Sequence, residues 1–142
     1  MDRFYRGLTA GMVAGVPMII WGHGAYYLGL GNLRFLDWAG VIIYGSLPET
    51  LFQVVYAQIA HLLWLGFLGI VFSYLIPKVT SRGHIGKAVI FGYVVGFFTH
   101  AIPVLFAVPH LAATHSQTVI HNHVGGVIWG LGLGYILRVL DH

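Results

Sequence analysis

Four apolar runs, at residues 8–30, 51–76, 85–108 and 119–140, leave this chain of 142 residues few ways to fold. Each reaches the length of about 20 residues that a helix needs to cross the hydrocarbon of a bilayer. In lipid the backbone must satisfy its own hydrogen bonds, so such runs become helices. A soluble bundle would need polar outer faces, and these runs are apolar nearly all round. Composition agrees: 58% of residues are apolar, 8% are charged and the mean hydropathy is +0.82. An ordinary soluble domain carries about 25% charged residues. The expected fold is one all-α domain over residues 1–142, an integral membrane four-helix bundle in contact with the lipid bilayer.

Between the first two runs lies residues 35–44, FLDWAGVIIY, too short to span. It reads as a short interfacial helix, with Trp38 and Tyr44 suited to the headgroup level. The N-terminal Met1-Asp2-Arg3-Phe4-Tyr5-Arg6 precedes an apolar run too long for a signal-peptide core and without an A-x-A-like cleavage site, so it reads as a retained anchor. Arg3, Arg6, Lys78, Arg82, Lys87 and Arg138 all fall on one side of the spans, and only Arg34 falls on the other. That bias places both termini in the cytoplasm of a cell-membrane protein. The basic residues are scattered among apolar runs, which speaks against a nucleic-acid partner. The chain has no cysteine, which excludes disulfides, thiolate metal sites and covalently attached c-type haem.

Local punctuation fits the spans. Ser46-Leu47-Pro48-Glu49 and Thr114-His115-Ser116-Gln117 have the form of capping boxes for the second and fourth helices. Pro77 and Pro109 read as stops after the second and third. Pro17 and Pro103 lie inside spans, where each frees a carbonyl one turn back, of Val13 and Thr99.

Glycine recurs every fourth position: Gly7, Gly11 and Gly15 in the first span, Gly92 and Gly96 in the third, Gly126, Gly130 and Gly134 in the fourth. In lipid such stripes let helix backbones approach and gain dispersion contacts. Three stripes in four short helices point to a homo-oligomer or to a subunit of a membrane complex. The chain also hints at two duplicated hairpins. Aligning Trp64 with Trp129 brings Gly69 onto Gly134, and Gly11-x-x-x-Gly15 matches Gly92-x-x-x-Gly96.

Seven of the nine histidines fall between the middle of the bilayer and its outer surface: His23, His61, His100, His110, His115, His121 and His123. His84 and His142 are cytoplasmic and solvated. A buried imidazole needs a partner to offset its desolvation. One chemistry is haem b held axially by His61 and His100, on spans that a short inner turn would make antiparallel neighbours. Gly96 lies one turn from His100, and Arg34 is the one basic residue near enough for a propionate. A second is a transition metal drawn from His23, His61, His100, His121 and His123. His121 and His123 point about 200° apart on a regular helix, so they do not share one ion. A third is a proton relay through Glu49, Gln53 and Gln58, with Gln58 on the same helix face as His61. Against all three stands a packing role, in which imidazoles bond kink-freed carbonyls or neighbouring amides.

Covalent catalysis is disfavoured. Ser46, Ser73, Ser81 and Ser116 lack a nucleophile-elbow context, and no glycine loop has the spacing of a phosphate binder. The layout resembles the small four-helix bacterial membrane proteins of the YqhR type. The likeness is carried by Trp21-Gly22-x-x-Ala25-Tyr26-Tyr27, the interfacial segment after it, and Gly92-Tyr93 and Gly134-Tyr135. It implies a polytopic membrane protein and lends no catalytic residue. The sequence thus favours a non-enzymatic protein that needs no cofactor and works through glycine-mediated packing. The alternative is a redox or transport protein binding haem b or a transition metal.

Overall fold

The computed structural model describes residues 1–79 and 82–141. Ser81, His142 and the side chain of Lys78, each given a role above, lie outside the described residues. The described residues form five helices: α1 (Arg3–Tyr27), α2 (Phe35–Tyr44), α3 (Leu51–Val79), α4 (His84–Leu105) and α5 (Ser116–Leu140). All but α2 are long and apolar enough to cross a membrane.

Helix ends depart from the sequence reading in detail. The cap of α3 is built from Thr50 and Gln53, not Ser46 and Glu49. The Gln53 amide donates to Thr50 Oγ1 at 3.2 Å, and Gln53 Oε1 accepts from the amides of Glu49 (2.9 Å) and Thr50 (3.4 Å). Thr50 directly precedes the first helical residue, so its hydroxyl is the one that reaches the first turn. At α5 the expected box does not form, because the helix starts at Ser116 behind His115 and no side chain caps it. Pro77 does not stop α3, which continues to Val79. A proline in a last turn removes a single bond, and the helix carries on past it.

The four long helices run antiparallel in sequence order. Glycine makes the two closest contacts between them. Gly7 meets Gly69, and Gly11 meets Leu65 and Gly66, so closely that a Cβ on Gly69 would overlap the Gly7 carbonyl oxygen. On the other pair Gly92 meets Gly126, a Cβ on Gly130 would stand 2.8 Å from the Val89 Cα, and one on Gly134 would stand 3.0 Å from the Ala88 Cβ. Gly15 accepts the Leu65 side chain, whereas Gly96 has only His123 within 4 Å. The stripes are therefore engaged inside one chain, α1 on α3 and α4 on α5.

Packing of α1 on α5 joins the two pairs, giving the order α3, α1, α5, α4. The α3 and α4 helices, expected as packed neighbours, make little contact although consecutive. Each has already committed its small-residue face, α3 to α1 and α4 to α5. The core between the pairs is apolar: Leu65, Leu68 and Phe72 of α3 belong to one cluster with Trp129 and Leu133 of α5, and Phe91 of α4 packs against Phe72 (5.2 Å) and Trp129 (6.1 Å). The Trp129 indole donates to the Gly11 carbonyl at 2.9 Å. The start of α1, the end of α3, the start of α4 and the end of α5 lie at one end, the terminal end. The opposite end, the loop end, carries α2 and the α4–α5 connection.

Candidate functional site

The loop end is built around α2. Its first ring, Phe35, enters between Gly22 of α1 and Gly125 of α5, where a Cβ on either glycine would collide with it. Phe35 then stacks on His61 of α3, centroids 5.7 Å apart and planes within 6°. One turn on, Trp38 meets His100 of α4 edge to face at 5.3 Å and donates to the Thr99 carbonyl at 3.2 Å. That carbonyl is one of the two freed by a span proline, and an indole from α2 satisfies it. Trp38 is 8% exposed, so it is a buried wedge and not the headgroup residue the sequence suggested. Between the two rings, buried Asp37 pairs with Arg34 at 3.1 Å and accepts from the Arg34 amide at 2.6 Å. The Arg34 guanidinium lies over the Tyr26 ring at 5.2 Å. The ion pair thus caps the N-terminal end of α2, and the Arg34–Tyr26 contact ties that end to α1.

Two polar groupings flank this wedge. On the α1–α3 side Gln58 bridges two imidazoles: its Oε1 lies 3.0 Å from His23 Nε2, and its Nε2 lies 3.4 Å from His61 Nδ1. The amide therefore meets His61, as its spacing suggested, and also His23 of α1, which the spacing did not indicate. On the α4–α5 side His100 stacks on His123 (5.6 Å, 17°), and its Nε2 lies 3.4 Å from the amide nitrogen of Asn122. His123 Nδ1 lies 2.7 Å from the Val119 carbonyl oxygen, which fixes the proton on that nitrogen. Tyr93 flanks the same ring at 5.0 Å.

His121 faces away from His123, towards the α1–α2 connection, where a Cβ on Gly31 would collide with its Nε2. Its backbone carbonyl accepts from the Trp21 indole at 2.8 Å. Nearby, Thr118 accepts from the Asn32 amide at 2.9 Å and ties that connection to α5. His121, Asn122 and His100 are 5%, 4% and 8% exposed. Yet both ring nitrogens of His121, Nδ1 of His100 and Oδ1 of Asn122 have no hydrogen-bond partner. Buried polar atoms are nearly always paired, so four orphans in three neighbouring side chains mark this layer as unusual.

The remaining candidates distribute plainly. Of the candidate haem pair, His61 stacks on Phe35 and His100 meets Trp38, so each imidazole lies against a ring of α2. Likewise, no three His, Asp or Glu side chains among the described residues converge as metal ligands. His110 and His115 are exposed on the α4–α5 connection. Phe35 and Gly125 were passed over in the sequence, where a phenylalanine in an apolar decapeptide and a glycine off the stripe carry no distinguishing signal. Compared with known protein families, curated proteins and solved structures, the chain matches none.

Proposed function

We propose that this is a non-enzymatic four-span membrane protein, both termini cytoplasmic, that binds water or a similarly small neutral solute at a buried imidazole–amide site in its outer half. The orientation rests on the placement of Arg3, Arg6, Arg82, Lys87 and Arg138 at the terminal end against Arg34 at the loop end. With the glycine faces engaged within the chain, we assign them to the frame of one protomer and not to contacts between protomers. That Gly7 against Gly69 is matched by Ala88 against Gly134 supports two related hairpins, although Trp64 is 52% exposed and its counterpart Trp129 only 1%.

The observation that carries the reading is the cluster of orphaned atoms on His100, His121 and Asn122. A neutral imidazole offers one donor and one acceptor, and an amide oxygen offers an acceptor. Such a set suits a neutral partner that both donates and accepts. An anion or a hard cation would find no opposite charge among these three groups. A buried polar site of two or more such groups is where water is retained in protein interiors.

Substitution of His121 by Leu separates this reading from a dry one. A dry imidazole with two unpaired nitrogens carries a desolvation penalty, and its removal should stabilise the fold by about 1–3 kcal/mol. A solvated imidazole loses its bonds instead, and the variant should be less stable by about 1 kcal/mol. Unfolding equilibria in bilayers, measured by steric trapping, distinguish the two by sign. Stabilisation by His121→Leu would overturn the proposal.

A further inference from the structure

The terminal end holds a second site of opposite character. A cavity of about 710 Å³ lies where α1, α3, α4 and α5 converge, and its lining includes Arg3, Arg6, Arg82, His84 and Asp141. Three guanidinium groups thus face one carboxylate, and Asp141 is already paired with Arg6. The Arg6 Nε and the His84 Nε2 are buried there without a hydrogen-bond partner. Arg3 is held over the Tyr74 ring at 5.8 Å and, like Arg82, has no carboxylate partner among the described residues. The α4 helix opens at this cavity behind Gly83, with no capping side chain and no acidic residue in its first turn. Its N-terminal partial positive charge adds to that of the arginines. The floor is apolar, formed by Phe72 and Leu137.

We propose that this cavity binds a phosphate group, and that its source is the headgroup of an anionic phospholipid in the cytoplasmic leaflet. Guanidinium groups meet phosphate oxygens in a fork geometry, and the orphaned Arg6 and His84 nitrogens supply further donors. The lipid source follows from the packing. Its lining residues Arg3, Pro77 and Arg82 are exposed, so the cavity opens at the protein surface, and a headgroup can enter with its tails along exposed residues such as Tyr74 and Leu75. Basic pockets between spans at the cytoplasmic surface are suited to such headgroups.

The test uses the whole protein in phosphatidylcholine vesicles, with and without phosphatidylglycerol, reading thermal unfolding and retained lipid by native mass spectrometry. Phosphatidylglycerol should be retained selectively, and Arg3→Gln and Arg82→Gln should each weaken it roughly fivefold. Both side chains are exposed, so the fold should tolerate their loss. Arg138→Gln, at the same end but outside the cavity, should leave retention unchanged. Equal loss on Arg138→Gln, or no preference over phosphatidylcholine, overturns the site. Arginine-dependent stabilisation by inorganic phosphate alone, in phosphatidylcholine, upholds the phosphate site and overturns the lipid source.

Discussion

Gly126→Leu is expected to unfold the α4–α5 pair and not merely to separate copies of the protein from each other. A Cβ at Gly126 would already stand 2.7 Å from the Gly92 carbonyl oxygen and 3.3 Å from its carbon, both backbone atoms that cannot rotate aside. Leucine adds three further carbons in the same direction. Overpacking a soluble core typically costs about 1–3 kcal/mol. Here two helix backbones must separate, and the dispersion contacts that hold them in lipid are lost along the whole stripe, so the upper part of that range is the floor. Gly96→Leu is the matched control, because Gly96 has only His123 within 4 Å, at 3.9 Å. Unfolding by steric trapping, alongside oligomeric state by native mass spectrometry, reads both possibilities. A Gly126→Leu chain as stable as the wild type, but shifted in oligomeric state, would move the glycine stripe to an intermolecular surface.

Phe35→Ala is expected to release α2 from the bundle. The ring fills the space that Gly22 and Gly125 leave between α1 and α5, and it covers one face of His61. Truncation leaves a void that neither glycine can close, and phenylalanine-to-alanine changes in packed cores cost about 3–5 kcal/mol. Part of that loss should appear locally as release of α2 and part in the apolar core around Trp129 and Leu133, against which Phe35 packs. The Trp38 indole should then leave the Thr99 carbonyl, exposing a kink-freed acceptor. The chain contains no cysteine, so a single His61→Cys reports on this directly. Thiol labelling from the loop-end side should be slow in the parent and fast in the Phe35→Ala background. Equal labelling rates in the two would show that α2 is not the cover of this layer.

Much of the frame was legible because span length is a blunt physical demand. An apolar run near 20 residues has one solution in lipid, and α2 stood out by being too short for it. Glycine spacing showed that backbones approach, and it could not show to which backbone. Gly11 and Gly92 carry the same four-residue stripe, and their partners Gly66 and Gly126 are reached only through the non-local pairing of helices. The capping boxes failed for a related reason: Ser46 to Glu49 and Thr50 to Gln53 both fit the pattern, and only the helix start decides between them. The candidate site was half legible. Histidine depth pointed to the loop-end half, and Gln58 was correctly placed beside His61. The wedge was hidden, because Phe35 and Trp38 in an apolar decapeptide have the composition of an interfacial helix. What makes them buried is the room left by Gly22 and Gly125, residues 103 positions apart in a chain whose numbering alone does not bring them together.

The proposed site requires the His100, His121 and Asn122 layer to be solvated while the bundle beneath it is dry. Water-edited solid-state NMR of the protein with labelled histidine and tryptophan, in bilayers, tests this in one sample. The His100 and His121 ring nitrogens should receive magnetisation from water quickly. The Trp129 indole, 1% exposed and bonded to the Gly11 carbonyl, should receive almost none and sets the dry standard. Imidazoles of His100 and His121 as dry as that indole would contradict the account and leave the four orphaned atoms a cost carried by packing alone.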